Sequence, residues 1–322
     1  MRVLAIVDGA LELVERPDPE PSGSEVRVRV TATGVNRADL LQRAGRYPAP
    51  AGVPADVPGL ELAGVVDAVG PRTRRFEVGD RVMGLVGGGA HAELALVPEG
   101  ELVAVPPSVD DVTAGAACEV FVTAHDALVT QAGLRSGETV LVHAVGSGVG
   151  TAAVQLVAAL GARTVGTSRT ADKLARAEAL GCDTTVLVED PTSDEALAAV
   201  RAASAPDVVL DLVGGDYLAL DLAVARPKGR IVVVGLLAGA RTQADLGLLL
   251  AKRLEVRGTV LRSRPAHEKA AAMEAFDRQV VPLLADGRLA PVVDEVLPAT
   301  EAQRAYDLVA SDTTFGKVVL TW

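Results

Sequence analysis

Polar and hydrophobic residues alternate along the first third of the chain. Over Glu25–Val30 charged and apolar positions follow one another strictly, which predicts a strand with one solvent-exposed and one buried face. Two further runs of this kind, Gly59–Gly70 and Asp80–Met83, are separated by Gly and Pro residues. Short strands at this spacing are typical of a small barrel-like β domain.

The pattern changes after about residue 112, where a helix is predicted over Asp111–Gln131. Beyond it, uninterrupted apolar runs alternate with helical stretches. The predicted strands are Thr139–His143, Thr164–Thr167, Asp207–Asp211 and Arg230–Gly235, and two of the helices are Gly150–Leu160 and Asp172–Leu180. Apolar strands that alternate with helices indicate a parallel sheet covered on both faces.

The chain returns to a looser pattern near Glu255. A helix is predicted over Ala266–Ala285 and a final strand over Gly316–Trp322. We therefore expect an α/β protein in which a doubly wound domain, residues 119–256, is inserted into a β-rich domain made of residues 1–118 and 257–322.

Composition narrows the function. The 322 residues are 49% hydrophobic and 23% charged, as in a compact globular protein, and the net charge of −11 argues against general nucleic-acid binding. Cys118 and Cys182 form no Cys-x-x-Cys pair. An acidic residue, Asp8, comes too early for a signal peptide, and no apolar run is long enough for a membrane span. We expect a cytoplasmic location.

A glycine-rich turn follows the first strand of the doubly wound domain. Its candidate cofactor contacts are Gly146, Ser147, Gly148, Val149 and Gly150. A turn without Cβ atoms lets main-chain N–H groups and the positive end of a helix reach a pyrophosphate. The glycines are spaced G-x-G-x-G and not G-x-G-x-x-G, so an ordinary tight turn is the alternative. The strand before the turn and the helix after it favour a dinucleotide site.

The end of the second strand of this domain discriminates between nucleotides. NAD sites usually have a carboxylate there, whereas this chain has Ser168 and Arg169, with Lys173 shortly after. A hydroxyl and two cations suit a 2′-phosphate, so NADPH is expected. Asp172 is the contrary residue, and we interpret it as opening the next helix. The alternative is that Arg169 and Lys173 are ordinary surface cations.

Five segments in order resemble one family. They are Gly34–Pro48, Val57–Val66, Val78–Val82, Leu261–Arg264 and Gly316–Leu320. Through them the chain resembles the zinc-free quinone oxidoreductases of the medium-chain dehydrogenase/reductase superfamily, and is most similar to the p53-inducible NADPH quinone oxidoreductase branch. The resemblance implies a Rossmann domain inserted in a GroES-like catalytic domain, NADPH as cofactor, and a homodimer joined through Glu255–Val260.

The resemblance also predicts that no metal is bound. Zinc-dependent relatives have a Cys at the position of Asn36 and a His at that of Leu60, and their third ligand aligns with Glu119, one position from Cys118. One carboxylate cannot replace the three protein ligands that zinc requires. The histidines share no motif. His91 could face the active cleft, but a surface position is expected for it, and we expect His143, at a strand end, in a packing or supporting role.

Without a metal, hydride transfer needs an electrophile that accepts it readily, namely a quinone or an activated enone. The resemblance places Asn36 and Tyr47 in the catalytic cleft, where they could donate a hydrogen bond or a proton to the product anion. Alternatively, Tyr47 only shapes its loop, Asn36 satisfies local backbone groups, and water supplies the proton.

The other candidate cofactor contacts lie at strand ends or in segments matched by the resemblance. They are Thr123, Val213, Gly214, Gly235, Leu236, Leu261, Arg262 and Ser263. Phe121 is a further candidate for the cleft, with a place in the core as its alternative. Turn chemistry explains the glycines equally well, and Arg262 could be a surface or interface residue.

The leading hypothesis is thus an NADPH-dependent quinone oxidoreductase. An NADPH-dependent enone or alkenal double-bond reductase is a close alternative because the same hydride geometry serves both. A non-catalytic, crystallin-like NADPH-binding protein is the alternative from another class.

Overall fold

The computed structural model describes residues 1–322 and contains fifteen strands. They are β1 (Arg2–Val7), β2 (Ala10–Glu15), β3 (Glu25–Val35), β4 (Glu61–Val69), β5 (Arg81–Leu85), β6 (Leu94–Pro98), β7 (Leu102–Ala104), β8 (Thr139–Val142), β9 (Arg163–Ser168), β10 (Thr184–Leu187), β11 (Val208–Asp211), β12 (Arg230–Val233), β13 (Glu255–Gly258), β14 (Val293–Pro298) and β15 (Lys317–Thr321).

Eleven α-helices connect these strands. They are α1 (Arg37–Arg43), α2 (Asp111–Gly115), α3 (Cys118–His125), α4 (Gly148–Ala159), α5 (Ala171–Ala179), α6 (Asp194–Ala203), α7 (Tyr217–Val224), α8 (Leu246–Lys252), α9 (Ala266–Gln279), α10 (Val281–Ala285) and α11 (Ala302–Ala310). A π-helical turn, Asp126–Gln131, follows α3, and 3₁₀ turns occupy Glu99–Glu101 and Ala299–Glu301. None of the helices combines the length and the apolar character that crossing a membrane requires.

Packing divides the chain into two compact units. The terminal unit consists of Met1–Val122 and Leu261–Trp322, and the central unit of Thr123–Val260. The junctions between the units lie a few residues beyond the domain limits expected from the sequence, 118/119 and 256/257. Those limits stay a prediction of where the two functional domains meet. The central unit thus interrupts the terminal unit along the chain, as the change in the hydrophobic pattern near residues 112 and 255 indicated.

The terminal unit is built on a seven-stranded sheet. Its order is β14-β15-β3-β4-β5-β7, with β6 paired to β3 and a separate hairpin formed by β1 and β2. The alternation in β3 has the expected effect: Val26, Val28 and Val30 are buried, whereas Arg27 and Arg29 pair with Asp67 on β4. Burial of the valines against β4 stabilises this sheet, at roughly 1.5–3 kcal/mol for each fully buried side chain.

The central unit is a six-stranded sheet with the order β10-β9-β8-β11-β12-β13, and all its pairs are parallel. Successive strands run outward from β8 in one direction and from β11 in the other. The order therefore reverses between β8 and β11, and in such sheets ligands bind outside the carboxyl ends of the strands at this point. The expected α/β fold class with a doubly wound sheet is confirmed.

Two predicted helices are interrupted. The stretch Asp111–Gln131 forms α2, α3 and a π-helical turn, and α2 ends at Gly115, where an added Cβ would lie 2.7 Å from the Cβ of Ala32. Gly115 therefore packs closely on β3 at the point where α2 ends. The stretch Ala266–Ala285 breaks at Val280, because Pro282 supplies no N–H and suits only the first turn of a new helix.

Candidate functional site

The glycine turn joins the carboxyl end of β8 to the amino end of α4. The helix begins at Gly148, two residues earlier than predicted, with Ser147 as its N-cap. The Ser147 hydroxyl accepts a hydrogen bond of 3.0 Å from the N–H of Gly150. The first N–H groups of a helix have no acceptor within it, so those of Gly148 and Val149 can serve an anionic ligand.

Close contacts explain why residue 150 is a glycine. An added Cβ would lie 2.5 Å from the carbonyl oxygen of Ala144 and 2.6 Å from that of Val145. Ala144 itself has a φ of 51°, a left-handed conformation that is uncommon for alanine. The chain thus bends sharply after β8 and brings α4 directly onto the turn. This is the cradle that a dinucleotide pyrophosphate requires, so the residues present fit such a cofactor.

The end of β9 carries no carboxylate. Ser168 is the last residue of the strand and is 8% exposed, and its hydroxyl accepts a hydrogen bond from the N–H of Thr170. Arg169 is exposed, and Lys173 lies half-buried in the first turn of α5. Asp172 belongs to the same first turn, where a negative charge stabilises the helix.

The turns after β11 and β12 lie against each other. Asp211 ends β11, and its Oδ1 accepts hydrogen bonds of 2.8 Å from the N–H groups of Val213 and Gly214. Gly214 has a φ of 68°, and an added Cβ would lie 2.8 Å from the carbonyl oxygen of Gly235. Leu236 follows and is 58% exposed. The structure therefore brings together the cofactor contacts predicted after these two strands.

A buried network that the sequence did not reveal lies under the glycine turn. Nδ1 of His143 is 2.7 Å from the hydroxyl of Thr167, and its Nε2 is 2.7 Å from Oδ1 of Asp221. Burial raises the pKa of Asp221 to about 6, opposed by His143 and reinforced by the charge of Asp211. The network ties β8, β9 and α7 together, which confirms the supporting role expected for His143.

Asn36 follows β3 and caps α1. Its N–H donates to Oδ2 of Asp39 at 2.8 Å. Its side-chain amide donates to the carbonyl of Gly34 at 3.2 Å and to Oε1 of Glu61 at 3.1 Å, and its Oδ1 accepts from Nζ of Lys317 at 2.5 Å. Both amide hydrogens therefore already have acceptors within the protein.

Glu61 and Lys317 form an ion pair that sequence reasoning missed. Nζ of Lys317 lies 2.7 Å from Oε1 of Glu61, and Oε2 of Glu61 accepts the N–H of Glu119 at 2.8 Å. Each of the two charged residues begins a largely apolar strand. A charge in such a position is a sequence feature that could have indicated a buried pair. Burial and then the charge of Glu61 raise the pKa of Glu119 to about 8, so its carboxyl group keeps a proton at neutral pH.

Tyr47 lies in the loop after α1 and contacts Arg262. The Arg262 guanidinium is 4.7 Å from the centre of the Tyr47 ring, and its Nη1 donates to the Tyr47 carbonyl at 3.0 Å. Burial raises the pKa of the Tyr47 hydroxyl, and the charge of Arg262 opposes this. The hydroxyl takes no part in these hydrogen bonds, which leaves it as a donor.

The remaining predicted residues are dispersed. Leu261 is buried and Ser263 is exposed. Thr123 is buried in α3, and Phe121 of the same helix is completely buried, which identifies it as a core residue. The sequence-based expectation for His91 is wrong: its side chain is 0% exposed because it packs edge-on against Tyr306, whose hydroxyl lies 3.1 Å from its Nδ1.

The residues at the positions of a catalytic zinc site do not fit a metal. The Asn36 amide is occupied, Leu60 is apolar and buried, and the two cysteines are buried and unpaired. No group of three His, Cys, Asp or Glu side chains is arranged to hold a metal ion.

Comparison with known proteins matches both parts of the chain. The family model described as zinc-binding dehydrogenase matches residues 148–278, and the alcohol dehydrogenase GroES-like domain matches residues 22–107. The chain is 33% identical over 320 residues to a quinone oxidoreductase of Pseudomonas aeruginosa, covering 97% of this chain and 96% of that one. It is 31% identical over 312 residues to a 2-haloacrylate reductase of a Burkholderia species, covering 93% and 91%.

Solved structures give the same result. The crystal structure of a quinone oxidoreductase from Pseudomonas syringae pv. tomato matches with a TM-score of 0.86 at 31% identity, over 100% of this chain and 99% of that one. An NAD-dependent alcohol dehydrogenase matches with a TM-score of 0.84 at 30% identity, over the whole of both chains. The resemblance to the quinone oxidoreductase branch is thus confirmed, whereas the matched structures include an enzyme that uses NAD.

Proposed function

We propose that this member of the medium-chain dehydrogenase/reductase superfamily is an NADPH-dependent quinone oxidoreductase that works without zinc. Membership of the superfamily makes the protein an oxidoreductase that takes a nicotinamide cofactor. The choice of nucleotide rests on the residues at the end of β9. Ser168 and Arg169 stand there, and Lys173 follows in the first turn of α5. A guanidinium and an ammonium group favour the 2′-phosphate of NADPH over the free hydroxyl of NADH.

The choice of acceptor rests on the quinone oxidoreductase relatives and on the residues at the zinc positions, where an occupied amide and a buried leucine do not fit a metal. A bound nicotinamide supplies a hydride, and a quinone accepts it without the polarising cation that alcohol chemistry requires. The protein then contributes position and hydrogen bonds. Tyr47 is the side chain we propose to donate to the anion that forms on the reduced acceptor.

Asn36 has a different role in this proposal. Its amide hydrogens are held by Gly34 and Glu61, and its oxygen by Lys317, so it has no donor to offer the acceptor. We propose that Asn36, at the start of α1, holds the Glu61 carboxylate and the Lys317 ammonium group in place. The sequence-based hypothesis of direct donation by Asn36 is thereby replaced by a positioning role.

The proposed cofactor contacts lie mainly at the carboxyl ends of the central sheet. The main-chain N–H groups of Gly148 and Val149 would hold the pyrophosphate, with Gly146, Ser147 and Gly150 shaping the turn. The turns at Val213, Gly214, Gly235 and Leu236 stand at the ends of the next strands, beside the point where strand order reverses. Thr123, Leu261 and Ser263 remain predicted contacts, and the hydrogen bonds of Arg262 favour another role.

Steady-state assays test the proposed function. NADPH consumption is compared with NADH consumption, using benzoquinones, 2-alkenals and 2-haloacrylate as acceptors. The proposal expects turnover of quinones with a preference for NADPH, unchanged by prior treatment with a chelator. Turnover of the alkenes alone would support a double-bond reductase, which the 2-haloacrylate reductase relative favours. Tight NADPH binding without any turnover would support a non-catalytic nucleotide-binding protein.

We also propose that the protein forms a homodimer through β13. This strand is the edge of the central sheet, all four residues are exposed, and Val256 and Val260 are 43% and 46% exposed. An exposed edge strand has main-chain N–H and C=O groups without a neighbouring strand, and it tends to pair with another strand, which a dimer satisfies. Sedimentation of the wild type and of Val256→Lys tests this, since a charge on the edge should favour monomers.

A further inference from the structure

Arg262 joins three segments of the terminal unit. Its Nε donates to the carbonyl of Gly87 at 2.7 Å, its Nη1 donates to the carbonyl of Tyr47 at 3.0 Å, and its Nη2 donates to Oε1 of Gln42. The residue is 6% exposed. A planar guanidinium with its donors in a fixed fork holds three acceptors in one arrangement, which a lysine ammonium cannot reproduce.

The acceptor on Gln42 is itself fixed. Nε2 of Gln42 donates to the carbonyl of Ala55 at 2.9 Å, so its oxygen is the atom turned towards Arg262. Gln42 lies in the last turn of α1, and Ala55 lies at the far end of the loop that contains Tyr47. Arg262 and Gln42 therefore tie the two ends of this loop to the body of the terminal unit.

The loop between Ala44 and Val57 contains no helix or strand, and such segments hold one conformation only where side chains tie them down. Tyr47 is fixed at two points by the same side chain. Its carbonyl accepts from Arg262, and its ring lies under the guanidinium at 4.7 Å. The negative face of the aromatic ring attracts the guanidinium cation above it, which restricts the ring to one side of the loop.

We infer that Arg262 is a positioning residue that holds Tyr47 for hydrogen-bond donation to the reduced acceptor, and not a ligand of the dinucleotide phosphates. The inference rests on the proposed function of Tyr47. Three of the guanidinium N–H groups are directed at acceptors of the terminal unit, so the side chain is committed there before any cofactor binds.

A double-mutant cycle between Arg262→Lys and Tyr47→Phe tests the inference. With a benzoquinone, Arg262→Lys should lower kcat by about tenfold, while the Kd for NADPH stays within about twofold, because misplacement affects the chemical step and not cofactor binding. In the Tyr47→Phe background, Arg262→Lys should cause no further loss. Arg46→Lys, at an exposed arginine beside Tyr47, is the matched control and should leave kcat unchanged.

A rise in the Kd for NADPH of equal size in both backgrounds would overturn the inference and make Arg262 a nucleotide ligand. Should Arg262→Lys fail to fold, Gln42→Leu provides a milder test because it removes one of the three acceptors and should lower kcat in the same direction. That loss should also disappear in the Tyr47→Phe background, and an additive loss contradicts the inference.

A second readout does not depend on turnover. The phenol of Tyr47 can be titrated by its ultraviolet absorbance, with Tyr47→Phe subtracted to remove the other two tyrosines. Because the charge of Arg262 opposes the raised pKa of Tyr47, Arg262→Met should raise that pKa further. An unchanged titration would contradict the contact. If no quinone is reduced, the proposed function fails, and this titration still tests the inference.

Discussion

Lys317 and Glu61 face each other in the interior of the terminal unit, with 2.7 Å between Nζ and Oε1 and side chains that are 3% and 0% exposed. Neither charge reaches water, so each depends on the other and on Asn36. Breaking a buried pair on one side leaves an uncompensated charge, which is more costly than removing both.

Lys317→Met should therefore lower the free energy of unfolding by about 3–5 kcal/mol, measured by urea denaturation. The double variant Lys317→Met with Glu61→Gln should recover part of this loss, because no charge is then left unpaired. Lys228→Met, at an exposed lysine, is the control and should change little. Equal losses in the Lys317 and Lys228 variants would contradict the role of the buried pair.

Glu119 should make stability fall as pH rises. Its pKa is raised to about 8 in the folded protein from the ordinary 4.5, so its stabilising contribution is complete below pH 4.5 and is lost as pH rises through about 8. Glu119→Gln removes this dependence. Each pKa unit corresponds to about 1.4 kcal/mol, so the stability difference between wild type and variant should change by at least about 2 kcal/mol over this range.

Urea denaturation at several pH values measures that difference. Glu12→Gln, at an exposed position of β2, is the matched control and should run parallel to the wild type. Parallel curves for wild type and Glu119→Gln would show that the Glu119 carboxyl group is not perturbed in the folded protein.

Gly150→Ala should damage both stability and cofactor binding. Its Cβ would meet two carbonyl oxygens at 2.5 and 2.6 Å, so the turn must shift. Forced overpacking typically costs about 1–3 kcal/mol. Thermal denaturation and nucleotide titration measure the two effects. Gly258→Ala, where an added Cβ meets nothing within 4 Å, is the control, and equal effects in the two variants would contradict the tight turn.

The charges after β9 should set the nucleotide preference. Removing both with Arg169→Ala and Lys173→Ala should raise the Kd for NADPH at least about tenfold and leave that for NADH nearly unchanged, since charge-assisted hydrogen bonds contribute about 1.5–3 kcal/mol. Fluorescence titration measures both constants. Arg176→Ala, later in α5, is the control for loss of a positive charge.

Ser168→Asp approaches the same question from the other side. It places a carboxylate at the end of β9, where NAD sites have one, and should shift the preference towards NADH. A wild-type protein that binds both nucleotides equally, with no change in any of these variants, would contradict the proposed choice of NADPH.

Local patterns made much of the fold predictable. Alternation in β3, apolar runs such as β8 and β11, and the glycines before α4 depend on residues close in sequence, and each was recognisable without the structure. Helix ends were less predictable. The break at Val280 depends on Pro282, and the break at Gly115 lies where the helix packs closely on β3. The apolar periodicity, which continues through both positions, did not indicate either break.

Polar and charged residues in the interior were the least predictable. His143 and Asp221 are 78 residues apart, and Asn36 and Lys317 are 281 residues apart. Nothing local indicates that such residues meet, because a buried charge is tolerated only through the partner that the fold supplies. For the same reason His91 was expected at the surface, since its partner Tyr306 comes from the opposite end of the chain.

The sequence by itself determined the two-part architecture, the nucleotide turn and the absence of a carboxylate after β9, because these are properties of contiguous residues. Only the tertiary structure decided what the individual polar side chains do. In the folded protein the Asn36 amide forms hydrogen bonds with Glu61 and Lys317, and the Arg262 guanidinium forms one with the carbonyl of Tyr47. A side chain's free donors are those left after folding has assigned its partners, and that assignment depends on residues distant in sequence.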